Sequence, residues 1–123
     1  MNDWNAGLMR HLGMRLVEVG PERVVAELDV EENLTTLGGA VHGGTLMALA
    51  DTAGAAGTAA AGLRTATLES KTNFFAAATG GTLRAESSAL HRGKRTHVWQ
   101  TRVTDASGRL LSLTIQTQMI LDK

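Results

Sequence analysis

A long apolar stretch between Glu32 and Arg64, built largely from small residues, restricts the fold of this chain more than any other feature. Asp51 is the only carboxylate in that stretch, and residues 46–53 around it read as part of a buried helix. A helix that is apolar nearly all round has to be enclosed by other elements rather than laid on a surface. A buried charge is costly unless other groups support it. The sequence therefore predicts an enclosed helix whose single acid has partners.

The residues before this helix predict a short helix and a β-hairpin. Apolar residues at helical spacing indicate a helix over Asp3–His11. Two strands, Met14–Val19 and Arg23–Val30, flank a turn at residues 20–22, and the second strand alternates apolar and polar side chains. Residues 31–41 are rich in Asn, Thr and Gly, which predicts a loop that leads into the central helix.

The central helix is predicted over Gly43–Ala61, and strand patterns follow it to the end of the sequence. Glycine-containing turns at residues 80–81, 92–94 and 105–108 separate these strands. The last strand alternates apolar and polar side chains, which predicts that one of its faces is buried. The four predicted strands are Ala66–Ala76, Thr82–His91, Thr96–Thr104 and Leu110–Leu121.

These elements predict an α+β fold in which a curved antiparallel β-sheet wraps around one long central helix. The small residues of the helix, among them Gly54 and Gly57, let the sheet approach the helix backbone closely. A length of 123 residues suits one domain, spanning residues 1–123, although exposed apolar faces of so small a domain can require a partner chain.

The composition argues against several classes of function. Lys plus Arg and Asp plus Glu both total 12, and only 3% of residues are aromatic, so nucleic acid and anionic membranes are not expected partners. Without cysteine, the chain has no disulfide or thiolate metal site, which is typical of a cytoplasmic protein. The first residues do not resemble a secretion signal, and the apolar stretch carries His42 and Asp51, which disfavours a membrane span.

A second chemical feature stands at the start of the central helix, where the sequence reads Val41-His42-Gly43-Gly44. The first N–H groups of a helix have no partner within it and can hold an anion. His42 and Asp51 are nine residues apart, about 13 Å along a helix at 1.5 Å per residue. An acid and an anion site therefore bracket one helix, at a separation that one subunit cannot easily close.

This pair of motifs resembles the hotdog-fold acyl-CoA thioesterases of the phenylacetate-degradation type. The resemblance covers nearly the whole chain and includes Leu12-Gly13, Thr67-Leu68-Glu69, Asn73-Phe74, Gly81-Thr82-Leu83 and the run His91-Arg92-Gly93-Lys94-Arg95-Thr96. It implies a hotdog fold, with homodimers that pair into a homotetramer. It also implies hydrolysis of acyl-CoA without a cofactor, since coenzyme A is part of the substrate.

The resemblance implies a role for each matching residue. Asp51 would act as general base or as nucleophile, with general base the favoured role. The N–H of Gly43, assisted by Gly44, would polarise the thioester carbonyl. Because the family places this glycine opposite the acid of the neighbouring chain, we expect two shared sites per dimer. Thr67 would help to hold the attacking water, although it can equally be an ordinary strand residue.

Other candidate residues have more modest expected roles. His42 belongs to the catalytic motif, but its position favours a role in ordering the turn through side-chain hydrogen bonds. Arg92, Lys94 and Arg95 could bind the phosphates of coenzyme A, or they could form a solvated hairpin tip. A metal site is not expected, since no cluster of ligands at suitable spacing occurs.

Two departures from the family pattern concern substrate binding. Thr36 stands where many relatives carry an Asn or Gln that contacts the substrate carbonyl or water. Phe74-Phe75-Ala76-Ala77 replaces a pattern in which an Arg-Pro pair often follows the aromatic residue, so a cation and a rigid turn are missing. Neither departure affects Asp51 or Gly43.

Two other functions remain open for this architecture. The first is a noncatalytic domain that binds or senses acyl-CoA, although its usual companion, a DNA-binding segment, is missing here. The second is a hydratase or dehydratase, which would need a catalytic histidine close after the acid, whereas the first histidine after Asp51 is His91.

Overall fold

A computed structural model describes residues 6–122 of the chain. Its order of elements follows the prediction, with most helix and strand limits within two residues of those expected. The predicted loop at residues 31–41 also contains one 3₁₀ turn, Glu32–Leu34, and the predicted helix residues 3–5 lie outside the described part. The helices and strands are α1 Gly7–Leu12, β1 Arg15–Val19, β2 Arg23–Asp29, α2 Gly43–Ala60, β3 Arg64–Phe74, β4 Thr82–Arg92, β5 Thr96–Thr104 and β6 Leu110–Asp122.

The six strands form one sheet in the order β1-β2-β4-β5-β6-β3, and all neighbouring strands are antiparallel. Helix α2 lies against one face of this sheet and contacts every strand. β1 and β3 are the two edge strands. The sheet therefore wraps around a central helix, as the sequence predicts.

Glycines in α2 allow the sheet to come close to the helix backbone. A Cβ atom on Gly57 would overlap the indole ring of Trp99, which is fully buried, and a Cβ atom on Gly54 would lie 2.6 Å from the side-chain amide of Gln116. The indole Nε1 of Trp99 donates a hydrogen bond to Thr58 Oγ1 over 2.9 Å. The expected packing role of the small helical residues is confirmed at these two positions.

The interior divides into an apolar half and a polar half. Beneath β1, β2 and β4, α2 packs against large aliphatic side chains. Beneath β5 and β6, the buried face carries polar groups along with Trp99. The apolar half includes Val24, Leu28, Leu49 and Leu83, all of which are fully buried.

On β6 the polar side chains face the interior, although alternating strands usually turn their apolar side chains inward. Its polar residues face α2 and are fully buried, whereas Met119 and Leu121 on the alternate face are 42% and 49% exposed. Elements α2 and β3 present hydrogen-bonding partners to this face. Gln116 contacts Asp51 on α2, and Gln118 contacts Thr67 on β3. The inward-facing polar residues of β6 are Ser112, Thr114, Gln116 and Gln118.

Neither helix in residues 6–122 is long and apolar enough to cross a membrane.

The contact between Gly57 and Trp99 can be tested by substitution. We expect Gly57→Ala to lower the free energy of unfolding by about 1–3 kcal/mol, because the added methyl group overpacks the core. The midpoint of urea denaturation measures this loss. Gly80→Ala is the control, since a Cβ atom there would meet nothing within 4 Å. If there were room for the methyl group, alanine would stabilise the helix by about 1 kcal/mol relative to glycine. A Gly57→Ala variant more stable than the native protein would therefore contradict the close contact with Trp99.

Candidate active site

Asp51 lies in the middle of α2, half-buried, and two side chains from the sheet hold its carboxylate. Thr67 on β3 donates its hydroxyl to Oδ1 over 2.6 Å. Gln116 on β6 donates its Nε2 to the same oxygen over 3.0 Å and lies 3.3 Å from the backbone carbonyl of Asp51. The acid of the apolar helix is therefore supported by neighbours, as its cost of burial requires.

Strand register places these partners beside Asp51. Gln116 and Gln118 are two residues apart on β6 and so share its inward face. Thr67 is the direct cross-strand partner of Gln118, whose Nε2 donates to the Thr67 hydroxyl over 2.7 Å. Thr65 donates its own hydroxyl to Gln118 Oε1 over 2.9 Å. In the sequence, the two glutamines stand out only as polar residues of the last strand. Their spacing of two does, however, predict that they lie on the same face.

The start of α2 is capped by the side chain of His42. The backbone of His42 is extended, with φ −65° and ψ 135°, and its ring Nδ1 accepts a hydrogen bond from the N–H of Gly44 over 2.8 Å. Such a side-chain acceptor satisfies one of the free donors of the first turn. The structure thus gives His42 the turn-ordering contact expected of it. The N–H of Gly44, expected to assist at a substrate carbonyl, is instead used by this cap.

Gly43 presents its backbone to an apolar cleft at the same end of the helix. Within the described residues, the N–H of Gly43 has no acceptor. The ring of Phe74 lies over this glycine, since a Cβ atom there would be 3.1 Å from Phe74 Cζ. The cleft has a volume of about 490 Å³ and is lined by Val41, Gly43, Leu46 and residues 74–77.

The two halves of the predicted site are separated along α2. Gly43 and Asp51 are eight residues apart in the helix, which corresponds to about 12 Å along its axis. The cleft lies at the end of the sheet where β3 finishes with Phe74, whereas Thr67 contacts Asp51 nearer the start of that strand. One chain therefore presents an acid and a helix N-terminus at different places.

Thr36 takes part in the turn that precedes α2. Its hydroxyl accepts a hydrogen bond from the N–H of Gly38 over 3.2 Å, and its own N–H donates to the carbonyl of Ala40 over 2.7 Å. Leu37 at the tip of this turn is fully exposed. In this chain, Thr36 orders its own loop rather than contacting Asp51 or Gly43.

The predicted basic residues Arg92, Lys94 and Arg95 are exposed at the β4–β5 turn, where the guanidinium of Arg92 lies 4.0 Å from a carboxylate oxygen of Glu22. Arg64, at the start of β3, lies at the same end of the sheet. The register shows this, because Thr96 pairs with Met119 on β6 and Arg64 pairs with Asp122 on the same strand. Sequence reasoning missed Arg64, since only the pairing of β3 with β6 brings it to this end.

His97 lies beneath α2, in the polar half of the interior. Its Nδ1 is 3.0 Å from Thr58 Oγ1, about two turns after Asp51 in the helix. Burial lowers the pKa of His97, and the positive charge of Arg92 and the nearby His91 lower it further. Burial thus disfavours the charged form of His97, and the contact with Thr58 joins β5 to α2.

A separate depression of about 530 Å³ lies on the outer face of the sheet, away from α2. Its charged side chains pair with one another, for example Arg84 Nε with Glu86 over 3.1 Å and Arg84 with Glu27 over 3.9 Å. It contains none of the predicted site residues.

Comparison with known proteins identifies relatives of this chain. The model of the thioesterase superfamily matches residues 38–112, which include Gly43, Asp51 and Thr67. The 1,4-dihydroxy-2-naphthoyl-CoA hydrolase of Listeria monocytogenes is 32% identical over 111 residues, covering 87% of this chain and 89% of that protein.

Solved structures share the whole fold. The crystal structure of S. sahachiroi AziG has a TM-score of 0.92 and 28% sequence identity, covering 96% of this chain and 98% of that one. The structure of a hypothetical thioesterase protein with coenzyme A from Streptococcus pneumoniae TIGR4 has a TM-score of 0.86 and 22% sequence identity. The match covers 94% of this chain and 98% of that one. The second likeness shows the fold alone.

The capping role of His42 leads to a prediction about stability. We expect His42→Ala to lower the free energy of unfolding by about 1 kcal/mol, because the N–H of Gly44 loses its acceptor. His42→Asn should keep nearly the native value, since asparagine is a strong N-cap residue. Urea denaturation of the three proteins measures both effects. Equal stability of the alanine variant and the native protein would show that the ring does not cap the helix.

Proposed function

This chain belongs to the thioesterase superfamily, with the hotdog fold and the activity of a thioester hydrolase, and we propose that its substrates are acyl-CoA thioesters with an aryl group. The observation that carries the proposal is the half-buried Asp51, held by Thr67 and Gln116 within an otherwise apolar helix. A carboxylate held by fixed hydrogen-bond donors in a half-buried position is suited to act on a substrate.

Asp51 would serve as general base for the attack of water. The water oxygen forms a bond to the thioester carbon while the carboxylate takes one proton, and the π electron pair of the carbonyl moves to its oxygen. When that pair returns, the bond from carbon to sulfur breaks. The coenzyme A thiolate leaves and takes the proton from Asp51, which restores the carboxylate. Direct attack by the carboxylate is the alternative.

Gly43 would stabilise the oxygen that becomes negative in this reaction. Its N–H has no acceptor among residues 6–122 and belongs to the first turn of α2, where the helix dipole is positive. A preorganised N–H aimed at a developing oxyanion commonly accounts for about 10²–10³ in rate. The cleft beside Gly43 supports a substrate carbonyl at this place.

The complete site would form between two subunits. Gly43 and Asp51 of one chain are about 12 Å apart along α2, too far to act on one carbonyl. β3 is an edge strand of 11 residues whose free edge suits pairing with a second copy. Such a dimer would have two sites, each with Gly43 from one chain and Asp51 from the other. Exposed Met119 and Leu121 on β6 provide apolar surface through which dimers could pair into tetramers.

The nucleotide of coenzyme A would bind at the basic end of the sheet. Arg92, Lys94 and Arg95 lie at the β4–β5 turn, and Arg64 begins β3 at the same end. Cationic side chains form charge-assisted hydrogen bonds with phosphates. The N–H of Ile120 on β6 donates to the carbonyl of Arg95, so the β4–β5 turn lies beside this part of β6. Gln118 is two residues away on the same strand and belongs to the hydrogen-bonded group around Asp51.

The apolar cleft favours an aryl group over a short aliphatic one. Phe74 and Phe75 line it and are 49% and 58% exposed, so their rings are free to stack on a substrate. The relative from Listeria is named for a naphthoyl thioester, whose ring is bonded directly to the carbonyl. The phenylacetate-type resemblance implies instead a methylene between ring and carbonyl. Both are aryl thioesters, and both belong in the substrate panel.

The role of Asp51 can be tested by its amide variant. We expect Asp51→Asn to lower kcat by about 10²-fold or more, because the amide cannot accept the proton of the attacking water. Release of free thiol is measured with phenylacetyl-CoA, 1,4-dihydroxy-2-naphthoyl-CoA, benzoyl-CoA and hexanoyl-CoA. Glu18→Gln is the control, since Glu18 pairs with Arg23 at the opposite edge of the sheet.

Two results would reject this proposal. Full hydrolysis by Asp51→Asn would exclude the acid from the mechanism. Tight binding of acyl-CoA by the native protein without turnover of any ester in the panel would indicate a binding or sensing domain instead.

A matched pair of substitutions distinguishes the effect of losing the N–H of Gly43 from the effect of adding a side chain there. Proline is tolerated at the first position of a helix, and the extended backbone of His42 is compatible with a following proline. Gly43→Pro removes the N–H, whereas Gly43→Ala keeps it and also adds a Cβ atom. We expect kcat to fall by about 10²–10³-fold in the proline variant and far less in the alanine variant.

The same variant tests whether the sites are shared. Gly43→Pro and Asp51→Asn subunits, coexpressed and mixed at random, should recover about a quarter of native activity, because each mixed dimer contains one intact site. Each variant expressed alone provides the background. Mixed preparations no more active than that background would show that each site lies within one subunit.

A further inference from the structure

The hydrogen bonds to the Asp51 carboxylate all end on one of its two oxygens. Thr67 Oγ1 lies 2.6 Å and Gln116 Nε2 3.0 Å from Oδ1. Among residues 6–122, no hydrogen-bond donor contacts Oδ2. The two oxygens of this acid therefore have different environments within the same subunit.

The directions of these hydrogen bonds are determined by the chemistry of the groups. An ionised carboxylate only accepts hydrogen bonds, so the hydroxyl of Thr67 must donate to Asp51. The oxygen of Thr67 is then left as an acceptor, and Gln118 must present its N–H to it over 2.7 Å. The Oε1 of Gln118 is thereby turned toward the hydroxyl of Thr65 over 2.9 Å, and this hydroxyl also lies 2.9 Å from the backbone carbonyl of Met119. The N–H of Gln118 thus holds the Thr67 hydroxyl in the orientation in which it donates to Asp51.

The orientation of Gln116 is determined in the same way. Its Nε2 lies near the Oδ1 and the backbone carbonyl of Asp51, and both of these groups are acceptors. Its Oε1 consequently lies against the backbone of Gly54, buried and without a hydrogen-bond partner among residues 6–122. A buried acceptor left without a partner is destabilising, because it has lost water and gained no hydrogen bond. Stability alone does not favour a glutamine at this position.

We propose that Gln116 and Gln118 are positioning residues that hold Oδ1 of Asp51, so that Oδ2 is the atom that takes the proton from water. Gln116 acts on the carboxylate directly, and Gln118 acts through Thr67. This inference rests on the proposed thioester hydrolysis and names the arrangement that makes its base effective. Neither glutamine is fully or partly exposed, which keeps both out of contact with substrate.

The proposal predicts an effect on turnover rather than on substrate binding. A carboxylate held through one oxygen cannot rotate freely, so the other oxygen stays aligned with the attacking water. Misplacing a catalytic group by about 1 Å can cost as much as 10²-fold in rate. Loss of the holding contacts should therefore lower kcat and leave KM nearly unchanged, because the substrate does not touch these side chains.

A double-mutant cycle tests whether Gln118 acts through Thr67. We expect Gln118→Met and Thr67→Val each to lower kcat on the order of tenfold, with KM within about twofold of native. In the Thr67→Val background, Gln118→Met should cause no further loss, since the hydroxyl that it orients is missing. Thr67→Ser retains the hydroxyl and should restore most of the activity. Gln100→Met, on the outward face of β5, is the matched control for the substitution itself.

A second variant covers the case in which Gln118→Met fails to fold. Thr65→Val removes the donor to Gln118 Oε1 at a half-buried position, and we expect a smaller fall in kcat that disappears in the Thr67→Val background. Losses that multiply in the double variants would overturn the proposal, as would a fall in the free energy of unfolding with kcat unchanged. If hydrolysis depends on Asp51 but the cycle is additive, only the positioning proposal fails. If hydrolysis does not depend on Asp51, the proposed function fails.

Discussion

The contact of Thr67 and Gln116 with the Asp51 carboxylate is the interaction around which this structure is organised. An acid in the middle of an enclosed helix is tolerated only when fixed dipoles replace the water that it has lost. Those dipoles come from β3 and β6, and they reach the helix because Gly54 leaves room for the amide of Gln116. One requirement, the support of a buried acid, thus links the small residues of α2 to the polar face of the sheet.

The divided interior follows from the same requirement. Large aliphatic side chains are buried beneath β2 and β4 and contribute hydrophobic stabilisation, whereas the buried face of β6 is mainly polar. Polar networks inside a protein make a core specific rather than more stable, and they commonly occur where function requires them. The apolar residues displaced from this half, such as Met119 and Leu121, lie on the outer face of β6. The same inversion therefore produces both the candidate site and an exposed apolar surface on β6.

Much of the fold was predictable from local patterns. The long helix, the hairpin and the four later strands follow from hydrophobic periodicity and from glycine-containing turns, and the structure confirms their order. Asp51 was identifiable as the single carboxylate of an apolar stretch, and the cap made by His42 follows from its place before the first turn. Such features depend on residues close together in the sequence, where propensity and spacing are informative.

The sequence by itself determined the elements, the acid and the glycine at the start of the helix. Only the tertiary structure decided which face of β6 turns inward, that Gln118 lies opposite Thr67, and that Arg64 lies at the same end of the sheet as the basic turn. The physical reason is that strand register joins residues that are some fifty positions apart in the sequence, and a shift of one residue would turn every side chain to the other face. Local patterns contain no record of that pairing, which arises only when the sheet closes around the helix.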